Sequence, residues 1–156
     1  MDPGLKHKIR LSLIVIIFLM YIVGFIQPWL IIKGLLGGLD RVFVSDPIVN
    51  PRHIANLFHE MQISKEDINV LLSLILTSSI LYLIAMISIL GGAKDLRSLI
   101  VSGGIGIASG MIWIIMYNYL VNLFPKIGSS LINLTVWPYL PIALGAIIVI
   151  IYIFLK

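Results

Sequence analysis

Hydrophobic positions in this chain run in long blocks separated by short polar stretches. Leu11–Ile32, Ile68–Ala93, Ser98–Pro125 and Ile127–Leu155 contain no Asp, Glu, Lys or Arg. Each exceeds the roughly 20 residues that an α-helix needs to cross a hydrocarbon core about 30 Å thick. The pattern predicts an all-α polytopic membrane protein: a four-transmembrane-helix bundle with spans at about 11–32, 66–91, 97–124 and 137–155, forming one domain over 1–156.

The breaks in the blocks predict how the elements join. Pro28, in Gln27–Pro28–Trp29, lacks a backbone donor and should kink or end the first helix. Gly34–Leu35–Leu36–Gly37–Gly38 predicts a flexible or re-entrant exit, and Arg41–Ser45 a short extended segment within an outer loop of 33–65. Asn50–Pro51 combines a cap residue with a first-turn proline. After it Ile54, Leu57, Phe58 and Met61 share one helical face opposite Arg52, His53, Asn56, His59 and Glu60. This is a short amphipathic helix that either lies on the membrane surface or caps the bundle. Ser64-x-x-Asp67 resembles a capping box at the start of the second long helix. Gly91–Gly92 suits a left-handed C-cap at its end. Pro125, Gly128, Ser129 and Ser130 form the turn before the last span, whose first turn accommodates Pro138 and Pro141 beside the interfacial Trp137 and Tyr139.

Composition strengthens the membrane reading. Hydrophobic residues make up 60% and charged ones 12%, whereas soluble domains carry about 25% charged residues. The net charge of +4 is scattered over termini and loops, which fits topology signals and anionic-lipid contact and excludes a nucleic-acid stripe. Lys6, Lys8, Arg10, Lys94, Arg97 and Lys156 are densest in short segments, so both termini are expected in the cytoplasm, with residues 33–67 outside the cell membrane. The first apolar block follows three basic residues and runs on to Ile32 without a small-residue cleavage site, as in an uncleaved signal anchor. There is no cysteine, which removes disulfide and thiolate chemistry, and the heavy use of Ile with no Cys fits a thermophile.

Candidate sites are few. Ser98, Ser102, Gly106 and Gly110 recur every four residues in the third span, while Ser78, Ala85 and Gly92 recur every seven in the second. Small residues at such spacings let backbones approach closely, so these positions are predicted to pack helices within the chain or between copies. Gly104-x-Gly106 followed by Gly110 lacks the spacing and the preceding strand of a dinucleotide loop. Gln27, Asn118 and Asn122 are the intramembrane amides, expected to bond across helices or to line a polar path. His59–Glu60 starts like a zincin motif, but Ile63 stands where the second His belongs. No metal, cofactor or catalytic residue is therefore assigned. Asn133-Leu134-Thr135 matches a glycosylation acceptor.

The span order, the cytoplasmic ends, a larger first outer loop and Trp29 at its entrance resemble the topology of claudin-like tetraspan proteins. Those proteins carry a W…GLW…C…C pattern. Here Trp29 is followed by Gly34–Leu35–Leu36, with Leu36 at the second Trp position and neither Cys. The resemblance implies topology and carries over no adhesion residue. With no charge inside any span, the expected function is that of a non-enzymatic accessory, scaffold or assembly subunit of a membrane complex or homo-oligomer. Its partners are the lipid bilayer and other membrane subunits or further copies, and the alternative is a small transporter or channel protomer with an uncharged path.

Overall fold

The structure, a computed structural model, describes residues 3–33, 38–124 and 131–155. The expected glycine-rich exit at 34–37 and the turn residues Pro125, Gly128, Ser129 and Ser130 lie outside them. The protein is mostly helical. Helix α1 (Pro3–Ile26) leads into strands β1 (Pro28–Lys33) and β2 (Leu39–Phe43). Short helices α2 (Asp46–Val49) and α3 (Pro51–Glu60) follow, then the long α4 (Lys65–Gly91) and α5 (Leu96–Asn122). Strand β3 (Ile132–Leu134) and helix α6 (Tyr139–Leu155) complete the order.

The first expected span, 11–32, ends early. Pro28 cannot donate to the Gly24 carbonyl four residues back. Instead the indole Nε1 of Trp29 donates to that carbonyl at 2.8 Å. The last five residues of the apolar block, with Lys33, form β1, so the fold is not purely helical: β1 is the central strand of an antiparallel sheet ordered β2-β1-β3. Leu30 faces Val42 on one side and Leu134 on the other, and Ile32 faces Asp40 and Ile132. The ladder is irregular between Pro28 and Leu30, which leaves Trp29 and Leu30 both fully buried. Thr135 fastens the far strand by donating its hydroxyl to the Pro28 carbonyl at 2.8 Å and its N–H to the Trp29 carbonyl at 3.1 Å.

Helix α3 starts at Pro51 as expected, although the Asn50 side chain makes no cap bond. Its apolar residues Ile54, Leu57 and Phe58 are buried in the protein and Met61 packs against them. That face is therefore spent on the core. The helix ends in a Schellman arrangement: Ile63 N–H donates to the Phe58 carbonyl at 3.2 Å and Gln62 N–H to the His59 carbonyl at 2.9 Å. Gln62 takes the left-handed conformation, φ 58°, where glycine is usual. Ser64 caps α4, accepting the Asp67 N–H at 3.2 Å and donating its hydroxyl to the Asp67 carboxylate at 2.6 Å.

The expected left-handed cap at the end of α4 is not formed. Gly92 is right-handed, φ −59°. Space is what excludes a side chain there, because a Cβ would lie 2.6 Å from Leu99 Cγ and 3.0 Å from the Ile89 carbonyl oxygen. The chain then turns into α5, where the Asp95 carboxylate caps the helix by accepting the Arg97 N–H at 3.0 Å. Helix α5 packs along both α4 and α6, and α1 crosses α4 and α6.

Candidate functional site

The serines of α4 and α5 form the most ordered polar arrangement in the described residues. Ser78 donates to the Ser109 carbonyl at 2.8 Å, Ser109 returns the bond to the Ser78 carbonyl at 2.9 Å, and the two hydroxyl oxygens are 3.1 Å apart. Two turns along, Ser102 donates to the Ala85 carbonyl at 2.7 Å. All three serines are fully buried. The seven-residue steps Ser78 to Ala85 and Ser102 to Ser109 keep each residue on one side of its helix, so two antiparallel helices meet twice in register. Interhelical bonds of this kind contribute about 0.6 kcal/mol each on average in membrane proteins.

The four-residue stripe Ser98, Ser102, Gly106, Gly110 is divided between neighbours. At about 100° per residue, each four-residue step advances about 40°, so the stripe rotates by about 120° over its length. Its first half faces α4: Ser98 lies beside Gly91, and Ser102 bonds Ala85. Its second half faces α6 and α1. A Cβ on Gly106 would overlap the Tyr21 hydroxyl and approach the Pro141 carbonyl oxygen at 3.3 Å, and one on Gly110 would lie 2.5 Å from the Pro138 carbonyl oxygen. Gly103 and Gly145 face each other between α5 and α6, where a Cβ on Gly145 would stand 2.5 Å from the Gly103 carbonyl oxygen.

Between these seams lies an aromatic core that the spacing of small residues gave no sign of. Tyr82 donates its hydroxyl to the Tyr21 carbonyl at 2.6 Å and meets the Tyr21 ring edge-on, with centroids 5.1 Å apart. Trp29 packs edge-on to Tyr82 at 5.2 Å and tilted against Trp113 at 5.3 Å. All four are fully buried, and the Tyr21 hydroxyl and Trp113 Nε1 have no partner among the described residues. The cue in sequence was the presence of two Trp and two Tyr inside or beside apolar blocks.

The predicted intramembrane amides are not brought together. Asn118 and Asn122 are exposed on the outside of α5 and Gln27 is half-buried after α1. None of the three side chains bonds a described residue. At the same end of the bundle the Tyr119 hydroxyl donates to the Asp67 carboxylate at 2.5 Å, tying the end of α5 to the start of α4.

In the segment between α1 and α4, Asn56, His59 and Glu60 are exposed and His53 is half-buried. Asp46 accepts the Phe43 N–H at 2.8 Å. Burial pushes its carboxyl above the ordinary range, outweighing the downward pull of the Phe43 N–H and of nearby His53. Among the described residues no three His, Asp or Glu side chains gather as a metal ion requires. Asn133 is exposed in β3, opposite Ile31, and the Thr135 hydroxyl of its motif is committed to the Pro28 carbonyl.

Compared with known proteins, the chain matches no family model, no curated protein and no solved structure. Its class follows from the fold: a mostly helical protein in which α1, α4 and α5 are long and apolar enough to cross a membrane.

Proposed function

We propose that this chain is a four-span integral protein of the cell membrane that acts by packing, as a non-enzymatic accessory, scaffold or assembly subunit of a larger membrane complex or as a homo-oligomer. In this reading α6, with 17 residues, is the fourth span; its length of about 25 Å lies at the short end of the spanning range. Both termini are then cytoplasmic and residues 33–67 outside, a claudin-like topology in which the sheet and α3 cover the outer end of the bundle.

One observation carries the reading. Polar side chains lie on the outward faces of helices that otherwise present Ile, Leu, Val and Met. Asn69, Ser73 and Thr77 form an exposed stripe along α4, and Asn118 and Asn122 lie on the outside of α5. The Ser73 hydroxyl bonds back to the Asn69 carbonyl at 2.8 Å, but the Asn69, Thr77, Asn118 and Asn122 side chains bond no described residue. Hydrocarbon offers such groups nothing, whereas a facing helix does. The interior, by contrast, is filled by aromatic rings and by serine hydroxyls already donated to carbonyls.

The outward direction of Asn118 and Asn122 also favours the second reading, a transporter or channel protomer whose uncharged path forms between copies. Purification from native membranes in mild detergent, with identification of co-purifying chains and particle mass, tests the first. A stoichiometric partner or a multiple of the 17.4 kDa chain supports it, and a lone monomer in native lipid patches refutes it. Flux of uncharged solutes through reconstituted oligomers, abolished by Asn118→Leu with Asn122→Leu, would select the second reading.

A further inference from the structure

Glycine is among the least favourable residues inside a helix, so a helical glycine needs a compensating contact. For the other glycines of α5 that contact lies within the chain: Gly103 faces Gly145, Gly106 receives the Tyr21 hydroxyl, and Gly110 lies against the Pro138 carbonyl. Gly104 has no such contact. It is exposed on the back of α5, and its would-be Cβ meets nothing within 4 Å among the described residues.

The back of α5 is the side left over once α4, α6 and the Tyr21 of α1 have packed on the others. Along it Ala108, Met111, Ile115, Asn118 and Asn122 are all exposed. At about 100° per residue each lies within about 40° of the Gly104 direction, so the six form one line of about five turns. The line opens with two small residues one turn apart and closes with two amides one turn apart, whose side chains bond no described residue. Lipid gains little contact from Gly104 and Ala108, whereas a second helix can bring its backbone close to them.

The chemistry of the line fits a copy of itself. It carries no charge, so a like surface brings no repulsion. An amide both donates and accepts, so Asn118 and Asn122 can each satisfy the same residue of a second copy. Two copies bear the same topology signals and insert the same way up, which sets a two-fold axis along the membrane normal and makes the two α5 helices parallel. Every residue of the line then meets its own counterpart at the same depth.

We propose that the chain pairs with a second copy of itself along this line of α5, with Gly104 and Ala108 at the close approach and the amides bonded across the axis. The pairing rests on the membrane reading above and names the contact of the homo-oligomer within it. The stripe from Ser98 to Gly110 takes no part, because it is used inside the bundle.

The chain has no cysteine, so single introduced cysteines report contacts between copies in native membranes under mild oxidation. A disulfide needs Cα atoms within about 7 Å. Ala108→Cys and Met111→Cys should each give a product of twice the 17.4 kDa chain mass. Ile80→Cys and Ile147→Cys, exposed on α4 and α6, should not. Gly104→Leu added to Ala108→Cys should abolish the product without lowering the unfolding midpoint of the detergent-diluted chain, because the new side chain meets nothing in its own copy and leucine is the better helix former. Equal cross-linking at all four positions marks random collision and overturns the pairing. Cross-linking that survives Gly104→Leu overturns it too, as does the absence of product from both α5 positions. With no product from α5, a different membrane protein co-purifying in stoichiometric amount would leave the subunit reading standing while the self-pairing falls. A chain that stays soluble and folded without detergent would refute the membrane reading itself.

Discussion

Two glycines of the same bundle should respond in opposite directions to the same added methyl group. On Gly145 the new Cβ would sit 2.5 Å from the Gly103 carbonyl oxygen and 2.6 Å from Ile107 Cγ1. Ordinary contact begins near roughly 3.5 Å, so α5 and α6 must part there by about 1 Å. The obstacle on one side is a main-chain oxygen, which cannot rotate away. Overpacking of this kind costs about 1–3 kcal/mol, against which the better helix propensity of Ala returns about 1 kcal/mol. The net expectation for Gly145→Ala is a loss of up to about 2 kcal/mol. Gly104 lies on the outside of α5 with nothing within 4 Å of its would-be Cβ, so Gly104→Ala keeps only the propensity gain of about 1 kcal/mol. The propensity gain is common to both, so the two variants should differ by the overpacking cost, about 1–3 kcal/mol, in equilibrium unfolding, followed by fluorescence of the buried Trp29 and Trp113 in mixed detergent micelles. Equal stability of the two variants would refute the close crossing of α5 and α6.

Ser78→Ala and Ser109→Ala should each cost about 0.6–1 kcal/mol and nearly add in the double variant, because each hydroxyl bonds a main-chain carbonyl that the other substitution leaves in place. Coupling beyond about 0.5 kcal/mol in that unfolding cycle would place the energy in the hydroxyl–hydroxyl contact instead. Gln62→Gly should stabilise the chain by about 1 kcal/mol by relieving the left-handed backbone, and a lower unfolding midpoint would contradict the Schellman assignment. Asp46 binds its proton more tightly folded than unfolded, so its contribution is fully present below the ordinary carboxylate pKa and is lost as pH rises through its raised folded value. Asp46→Asn keeps an acceptor for the Phe43 N–H and removes that loss. The parent should thus fall in stability relative to the variant across the acidic range, and a rise would invert the assignment of burial as the dominant cause.

The long helices were legible because charge-free length is a local property. Ser64, Asp67 and Pro51 mark their helix starts in sequence and in structure alike. The sheet was not legible for the opposite reason. Pro28 announces that α1 must stop, but whether Leu30 and Ile32 then continue in another form depends on Ile132 and Leu134, about a hundred positions away. An apolar run of five residues looks the same whether it is a span's last turns or a buried central strand. In sequence Arg10 is one topology signal among several. Its buried Nε and its bond to Ala93 exist only once the α4–α5 turn has folded beneath it.

The helix seams show how spacing encodes the number of neighbours. Small residues seven apart hold one direction, and in α4 the set Ser78, Ala85, Gly92 accordingly faces α5 throughout: Ser109, Ser102 and Leu99 are the residues it meets. Small residues four apart turn steadily round the helix, and in α5 the set from Ser98 to Gly110 begins on α4 and finishes on α6 and Tyr21. A helix carrying both spacings must serve two partners, which makes α5 the one on which the others are assembled. Both spacings can be read from the sequence, but the rotation of the second acquires meaning only when the first has fixed which direction faces α4. Gly145, too isolated in sequence to belong to either set, is recognised as a contact only by the Gly103 carbonyl that faces it.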